Sequence, residues 1–391
     1  MTDLLWPGDD RAGEHLRDAV VVAAMVAVEQ AWLAVGPAGL ETDLTGLVAA
    51  TDLPALARDA EAGGNPVIPL VSLLRARLSG DAARMLHRGL TSQDVLDSAL
   101  MIAARVAAAQ VRTELVAQAR LLVSLASAHR DTGMVARTLT QHAVPTTFGL
   151  VASGWLMGVL DGLEEVDALR FPVQVGGAAG TLAAVVELGG GVANVDALAA
   201  RLGLEKSTPW HTRRTPVTRI GDAAVTCTDA WGHVANDVLT LGRPEIGELR
   251  EGTGGGSSTM PNKANPVLSV LVRRAALSAP QLAATLHVSA ANQVDQRADG
   301  AWHAEWATLR DLLRRTLVAG SQTTELLRGL VVDTDQMAAT LAAAGDDVRA
   351  EQRTMAALAG HQPEGDYRGA AGQVVDVALG RAHRARLEEH P

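Results

Sequence analysis

The chain alternates long apolar stretches that lack proline with short clusters of glycine and proline. Residues 18–35 are typical of one helix that ends at the sequence GPAG. Near residue 91, apolar residues begin to recur at spacings of three and four for about 35 residues, which predicts a helix of roughly 50 Å with Asp94 as its N-cap. Further long helices are predicted over 145–168, 216–242, 266–292, 301–330 and 366–388.

Strand patterns are weak throughout the chain. Residues 36–93 are predicted to form short helices and loops, with GGNPVIP as one of the loops. The segment PVQVGGAAGTLAAV opens with an extended pattern, but its glycines favour a loop that leads into a helix. These patterns together predict an all-α fold.

Several predicted helices are apolar on more than one side, as in SALMIAARVAAA and AAVTCTDAWGHVANDVLTL. A helix in a lone bundle buries one apolar stripe. The additional apolar faces indicate burial between subunits, and we therefore expect a homo-oligomer.

Length and charge narrow the class of protein. The 391 residues exceed the ~250–300 at which a single core stops growing, so two or three domains, or one very elongated domain, are expected. Aromatic residues make up only 3% of the chain, which leaves Ala, Leu and Val to build the core. The formal charge of −10 and the lack of any run of five basic residues argue against nucleic-acid binding.

The remaining composition argues against an internal disulfide, a zinc site and a membrane-spanning segment. Cys227, the single cysteine, lies in an apolar helical stretch and is expected to be buried. No Cys/His cluster has zinc-ligand spacing, and the first ten residues lack the pattern of a signal peptide. Glu29 and Gln30 interrupt the apolar stretch 18–36, so a cytoplasmic protein without a membrane span is expected.

Three polar segments stand out against this background. The first, HRGLTSQD at 87–94, places Thr91 and Ser92 just before the long helix. Hydroxyls and free amides at a helix start can bind a carboxylate or phosphate. Plain N-capping by Ser, Thr and Asp explains the same residues, and both interpretations stay open.

The second segment, ARTLTQHAVPTTFG at 136–149, carries Gln141 and His142 ahead of Pro145, which can begin a helix. A histidine is a candidate acid, base or anion ligand near neutral pH. The alternative for His142 is a structural histidine whose hydrogen bonds are satisfied within the fold.

The third segment, GGGSSTMPNKANP at 254–266, is predicted to be a mobile loop, because its glycines and prolines disfavour a helix. It lacks the G-x-x-x-x-G-K-[ST] pattern of a phosphate-binding loop, so nucleotide binding is not inferred. A plain linker is the alternative, but a linker does not need a fixed order of Met-Pro-x-Lys-x-Asn-Pro.

Two weaker candidates, WHTRR at 210–214 and RADGAWHAEW at 297–306, combine His, Arg and Trp. Their tryptophans are expected to pack at helix crossings. Arg214 and Arg297 are candidate partners for an anionic substrate.

The third segment resembles the G-S-S-x-M-P-x-K-x-N-P signature of the fumarase/aspartase superfamily at every fixed position. The other two segments are similar to that superfamily's two remaining motifs, in the same order, and the resemblance covers roughly residues 60–330. Within the superfamily, GNPVIPLV, RTLTQHA, GGAAGTLA and GAWHAEW are most similar to the bacterial 3-carboxy-cis,cis-muconate cycloisomerases. Adenylosuccinate lyases are the runner-up branch.

The resemblance implies a mostly helical subunit of three domains. These are an N-terminal helical domain at 1–93, a central long-helix domain at 94–332 and a shortened C-terminal helical domain at 333–391. It also implies a homotetramer whose central helices pack into one core, with each active site drawn from three subunits. No metal or organic cofactor is implied, and the substrate would be a small polycarboxylate.

The implied reaction adds a carboxylate of 3-carboxymuconate to a conjugated double bond and gives 4-carboxymuconolactone, a step in protocatechuate breakdown. Ser257 would transfer the carbon-bound proton, with its alkoxide stabilised by Lys263 and by loop amides. His142 would bind substrate or act as an auxiliary acid. The other residues that would bind substrate are His87, Thr91, Ser92, Gln141, Ser258, Met260, Asn265, Arg214 and Arg297.

One departure from the superfamily pattern bears on the chemistry. Adenylosuccinate and argininosuccinate lyases carry R-T-H-x-Q-x-A in the second motif, and this chain has Leu139 in place of that histidine. A departing nitrogen needs a proton, whereas a departing carboxylate, with a pKa of about 4, needs little or none. Leu139 therefore favours lactone chemistry over C–N cleavage.

Two other departures leave alternatives open. Asn262 stands where relatives often have histidine, and the chain after Asp333 is shorter than the superfamily's usual third domain. The alternatives are an adenylosuccinate lyase or related C–N lyase, and a helical oligomeric scaffold without activity. The intact Ser257, Lys263 and Asn265 argue against the scaffold.

Overall fold

The computed structural model describes residues 3–252, 254–256, 259–260, 263–297 and 299–385, and the structural statements below concern these residues. They form fourteen α-helices and four short strands. In chain order the helices are α1 Asp18–Val35, α2 Leu53–Gly63, α3 Val67–Arg77, α4 Gly80–Met85, α5 Ser92–Ala128, α6 Phe148–Asp167, α7 Ala183–Glu187, α8 Val192–Leu202, α9 Thr215–Leu241, α10 Val267–Ala291, α11 Gly300–Gly329, α12 Thr334–Ala343, α13 Ala350–Ala359 and α14 Ala371–Arg384.

Five long helices, α5, α6, α9, α10 and α11, form the centre of the protein. Helix α9 packs against α6, α10 and α11, and α5 packs against α6 and α11. The apolar periodicity predicted all five, and the structure confirms them with ends shifted by at most three residues. The predicted motifs lie in segments at the two ends of this bundle.

Small and bridging side chains hold the long helices together. A Cβ on Gly232 of α9 would lie 2.6 Å from Cβ of Ala276 on α10, so glycine permits close approach of the two helices. Trp231 is fully buried, and its Nε1 donates to Oε1 of Gln118 on α5 at 2.7 Å. Cys227 is buried as predicted, and burial raises the pKa of its thiol to about 12.

The helices before α5 pack around a second group of buried apolar side chains that includes Met25, Leu70 and Trp302. Among the described residues, α1 is the helix whose length and mean hydropathy of 1.7 would permit a membrane span, and 44% of it is buried inside the protein. A buried core helix has the same length and composition, so the cytoplasmic location stays a prediction.

Two strand pairs were not predicted. β1 (Gly133–Thr138) and β2 (Gln141–Thr147) form an antiparallel hairpin, and β3 (Leu249–Arg250) pairs with β4 (Val331–Val332). The prediction that a helix begins at Pro145 is wrong. Pro145 lies in β2 opposite Val135, and α6 begins at Phe148.

The C-terminal helices lie against the same bundle. Helix α14 packs against α5 and α6, and Arg381 on α14 pairs with Asp161 at 2.6 Å and with Glu164 at 2.9 Å. The helix predicted over 366–388 is confirmed, although it is shorter at both ends among the described residues. The three-domain division stays a prediction.

Candidate active site

The first predicted motif lies at the start of α5. Thr91 has extended backbone angles (φ −117°, ψ 162°) and is the N-cap residue, and its N–H donates to Oδ2 of Asp94 at 3.0 Å. The prediction that Asp94 is the N-cap is therefore wrong, because the helix already begins at Ser92. Thr91 and Ser92 are both half-buried.

Asp94 is instead a fully buried acceptor that fixes two loops to this helix end. It accepts the N–H of Gly176 at 2.9 Å and of Gly177 at 3.0 Å, and it lies 2.9 Å from Nε2 of His211. A Cβ on Gly176 would lie 2.5 Å from Cε1 of His211, so the position requires glycine. The segment GGAAGTLA is thereby held beside Thr91.

Arg214 contacts α5 one turn beyond Asp94 and is 2% exposed. Its guanidinium bonds to Asp97 at 2.7 Å and to Glu305 at 2.6 Å, and Nε1 of Trp302 donates to Asp97 at 2.9 Å. Burial alone would lower the pKa of Arg214, but the two carboxylates raise it above its usual value. The structure thus argues against the predicted contact of Arg214 with substrate and gives this residue a structural role.

His87 lies four residues before Thr91 in the same segment. Its Nδ1 is 2.5 Å from Oε1 of Glu29, a fully buried carboxylate on α1. The His87 side chain remains 19% exposed. His87 is therefore partly accessible near the start of α5 and is held in place by Glu29 on α1.

The second motif forms the tip of the β1–β2 hairpin. Thr138 pairs with Gln141, which leaves Leu139 and Thr140 as a two-residue turn in which both residues have positive φ. Leu139 is 95% exposed, and Gln141 and His142 are also exposed. The two predicted substrate ligands thus project from the protein at the start of β2.

The third motif is the loop between β3 and α10. Gly255 and Asn265 exchange two backbone hydrogen bonds of 2.8 Å, which close the base of the loop. Lys263 is exposed, its N–H donates to O of Met260 at 3.1 Å, and Met260 is 51% exposed. Ser257 and Ser258 lie outside the described residues.

The base of this loop is tied to the hairpin and to α10. Arg137 on β1 forms a two-bond ion pair with Glu248 just before β3, at 2.8 and 3.0 Å. Glu251 accepts from the N–H groups of Leu268 and Ser269 and so caps the start of α10. The hairpin and the loop therefore share one end of the bundle.

The first motif lies at the other end. Helix α5 has 37 residues, which at 1.5 Å per residue is about 55 Å. The hairpin begins at Gly133, just beyond its last residue, Ala128. One chain therefore cannot place Thr91 beside His142.

Arg297 belongs to the first-motif end. It is half-buried in the connection after α10, and the last turns of α10 lie near the first turns of α9, since a Cβ on Gly221 would be 3.0 Å from Leu286. The predicted ligands thus separate into two groups within one chain. The first group comprises His87, Thr91, Ser92 and Arg297, and the second comprises Gln141, His142, Met260, Lys263 and Asn265.

No group of three or more His, Cys, Asp or Glu side chains in the described ranges has an arrangement that would hold a metal ion. Apart from Met260, the predicted ligands at the two ends carry hydroxyl, amide, imidazole or cationic groups. These groups suit the binding of carboxylates.

A family model described as "Lyase" matches residues 65–280, more than half of the chain. The chain belongs to this lyase family of the fumarase/aspartase superfamily. It is 43% identical to the nitrosuccinate lyase of Streptomyces davaonensis over 361 residues, which covers 86% of this chain and 75% of that protein. It is 38% identical to the 3-carboxy-cis,cis-muconate cycloisomerase of Bradyrhizobium diazoefficiens over 345 residues, with 85% and 76% covered.

A solved structure agrees with this assignment. The 3-carboxy-cis,cis-muconate lactonizing enzyme of Pseudomonas putida superposes with a TM-score of 0.82 at 27% identity, covering 95% of this chain and 97% of that one. The all-α fold of the superfamily is therefore confirmed, with the hairpin as an addition that the sequence did not predict.

The sequence analysis missed two features that stabilise the end of the bundle carrying the first motif. Glu29 appeared only as an interruption in an apolar helix, and the Asp94–His211 contact joins residues 117 positions apart. A charged residue in the middle of an apolar helix was the one available signal, since such a residue is rarely buried without a partner.

Proposed function

We propose that this lyase-family chain is a 3-carboxy-cis,cis-muconate cycloisomerase. The observation that carries the proposal over the superfamily lyases that expel a basic nitrogen is Leu139, which occupies the position of their histidine and stands at the exposed tip of the hairpin. A carboxylate leaving group, with a pKa of about 4, needs little or no acid at that position. The likeness to the Bradyrhizobium and Pseudomonas proteins supports the same choice.

The proposed chemistry balances without a cofactor. An oxygen of one substrate carboxylate adds to the carbon β to a second carboxylate, and the π electrons move onto that second carboxylate as an enediolate. The hydroxyl of Ser257 then gives its proton to the α carbon and regains one from solvent before the next turnover. Lys263 stabilises the alkoxide that remains, while Asn265 and loop amides stabilise the enediolate.

The proposed site contains more than one copy of the chain. Thr91 and Ser92 lie about 55 Å from the hairpin along α5, so the two groups of ligands meet only when a second copy presents its opposite end. Helix α10 supports such packing, because Val270, Leu277 and Val288 are 51–64% exposed on it. We propose a homotetramer with shared active sites.

A second candidate is nitrosuccinate elimination, which the 43% identity to the Streptomyces protein favours. Nitrosuccinate is also a small polycarboxylate. A base such as the Ser257 alkoxide would remove a proton from the carbon next to the C–N bond. The C–H electrons form a C=C bond, and the C–N bond breaks with its electron pair leaving as nitrite, which, like a carboxylate, is a weakly basic anion. Leu139 is compatible with this reaction as well, since no strong base departs.

The two candidates are separated by a product assay on the purified enzyme. With 3-carboxy-cis,cis-muconate we expect loss of diene absorbance and formation of a lactone of unchanged mass. Release of nitrite from nitrosuccinate without lactone formation would overturn the first proposal in favour of the second. Release of AMP from adenylosuccinate would instead indicate an adenylosuccinate lyase, and Ser257→Ala is the inactive control in every arm.

A further inference from the structure

Arg137 and Glu248 form an ion pair that is almost completely removed from water. Nη2 of Arg137 donates to Oε1 of Glu248 at 2.8 Å and Nη1 donates to Oε2 at 3.0 Å, and the exposed fractions of the two side chains are 15% and 0%. A buried pair of this kind is often no more stabilising than apolar side chains of similar volume. Its two parallel bonds do, however, fix the relative orientation of the segments that they join. The pair therefore fixes how the hairpin lies against the segment that leads into β3.

The backbone of Glu248 is held independently of this pair. Its N–H donates to O of Leu241, the last residue of α9, at 2.9 Å. Its O accepts the N–H of Asp333, the N-cap residue of α12, at 3.0 Å. Glu248 is therefore a fixed point of the fold, and the hairpin is placed against it.

The same fixed point lies at the base of the signature loop, between β3 and α10. Glu251, three residues later, accepts the N–H groups of two residues in the first turn of α10, at 2.6 and 3.2 Å. A Cβ on Gly252 would overlap O of Gly329, so the chain passes directly against the end of α11 at this position. Residues 248–252 are thus held by four helices before the signature loop begins.

A bulge in the hairpin decides which residue lies opposite Arg137. Val135 pairs with Pro145, whereas Arg137 pairs with His142, so two residues of β2 lie opposite one residue of β1. In a regular register His142 would be one position out of step with Arg137 and would lie on the other face. Residues directly opposite each other on antiparallel strands share a face. The bulge therefore places His142 on the face from which Arg137 reaches Glu248, and redirecting a side chain in this way is a common role of bulges beside active sites.

Gln141 and His142 are exposed at the tip of the hairpin, so their position is set by the strands that carry them. We propose that Arg137 is a positioning residue for these two ligands, because its two bonds to Glu248 hold the hairpin in one position relative to the signature loop. That Gln141 and His142 bind substrate rests on the proposed function. The placement of the hairpin by the ion pair does not, and the two parts are therefore tested separately.

Hydrogen–deuterium exchange of the whole enzyme tests the placement of the hairpin. Arg137→Lys is the informative variant, because lysine keeps a positive charge beside Glu248 but cannot form two parallel bonds. We expect peptides that cover residues 137–142 to exchange several times faster in this variant. The base of the signature loop, closed by Gly255 and Asn265, is expected to exchange as in the native enzyme. Unchanged exchange in the hairpin would overturn the proposal whatever the substrate is.

Kinetics test the link to substrate. We expect Arg137→Lys to lower kcat/KM about tenfold, mainly through a higher KM, because displaced ligands bind the substrate less well. In a background that lacks both ligand side chains, Gln141→Ala with His142→Ala, the same change is expected to have no further effect. An equally large loss in that background would contradict the positioning role, since a general disturbance of the fold does not act through these two side chains.

Removal of both charges separates positioning from stability. Arg137→Met alone leaves Glu248 buried without a cation and is expected to lower the midpoint of urea unfolding. Adding Glu248→Met restores most of the midpoint, because no charge is then left unpaired, but kcat/KM stays low because the hairpin is still not held. Recovery of activity together with stability would show that the pair only supports the fold, and it would contradict the proposal.

An arginine–carboxylate pair away from the hairpin provides the control. Arg201 on α8 forms two bonds with Glu41, at 2.7 and 2.9 Å, and both residues are exposed. Arg201→Lys is expected to leave kcat/KM and the exchange of the hairpin unchanged. If the native enzyme turns over neither 3-carboxy-cis,cis-muconate nor nitrosuccinate, the proposed function fails, and the exchange result still decides whether the ion pair places the hairpin.

Discussion

Ser92 and Ala128 are the first and last residues of one uninterrupted helix, and the two ends of that helix carry different parts of the candidate site. Ser92 lies beside His87 and Thr91, whereas Ala128 is followed directly by the hairpin that bears Gln141 and His142. Because these ends are about 55 Å apart along the helix, we propose that each active site combines ligands from different copies of the chain.

The glycine at position 255 is expected to be essential to the shape of the signature loop. In Gly255→Ala, the new Cβ would lie 2.1 Å from Cγ2 of Val267, so the loop has to move. We expect kcat to fall by at least about tenfold, because small displacements of catalytic groups are costly. Steady-state kinetics together with circular dichroism distinguish this loss from unfolding.

The neighbouring glycine supplies the matched control. A Cβ on Gly256 has no atom of the described residues within 4 Å, so Gly256→Ala is expected to retain most of the activity. Adding Val267→Ala to Gly255→Ala relieves the contact and restores part of kcat. Equal activity in the two single alanine variants would show that the contact with Val267 does not shape the loop.

Thr140→Gly is expected to stabilise the protein. Leu139 and Thr140 both have positive φ in a two-residue turn that normally favours glycine. Glycine removes the steric cost of the left-handed conformation and loses some chain entropy, for a net gain of about 0.5–1 kcal/mol in the free energy of unfolding. Urea denaturation measures the change.

The same substitution at Thr113, an exposed position inside α5, is the control for the loss of a threonine side chain. Thr113→Gly is expected to lower stability, since glycine is unfavourable within a helix. A decrease of similar size in Thr140→Gly would mean that the hairpin turn is not strained.

Arg214→Met is expected to destabilise the protein by about 3–5 kcal/mol at pH 7, because Asp97 and Glu305 are then left buried without a cation. Burial raises the pKa of the Glu305 carboxyl, and Arg214 opposes that shift in the native protein. Without Arg214, the folded state binds protons more tightly than the unfolded chain does. Stability of the variant therefore increases as pH falls.

Urea unfolding at pH 7 and pH 5.5 tests the direction in which the stability of the variant changes with pH. The loss in Arg214→Met is expected to be smaller at pH 5.5 than at pH 7. Arg201→Met removes an exposed ion pair with Glu41 and is expected to cost less than about 1 kcal/mol at either pH. A loss in Arg214→Met that is the same at both pH values would show that the Glu305 carboxyl does not take up a proton.

Local patterns predicted the long helices well, because each buries an apolar face that recurs at helical spacing. They did not predict the hairpin, since its turn is Leu139–Thr140 rather than the Asn-Gly or Asp-Gly typical of such turns, and Pro145 lies within a strand. The irregular register between Val135 and Arg137 further obscures the alternation of side chains.

The motif residues were found because their order resembles a known signature. Their physical setting was not predictable, because the deciding contacts are distant in sequence. Arg214 meets acids that lie 117 and 91 positions away, and His87 meets an acid 58 positions away. Only the fold shows that Arg214 has a structural role and that His87 is held by Glu29.

Sharing of the active site between copies is tested most directly by mixing two inactive variants. One carries Thr91→Val with Ser92→Ala, and the other carries Ser257→Ala. Each is unfolded and the two are refolded together in equal amounts. If every site takes its first and third motifs from different chains, about a quarter of the sites in mixed oligomers are fully native and a corresponding activity returns. Activity no higher than that of either variant alone would contradict a shared site.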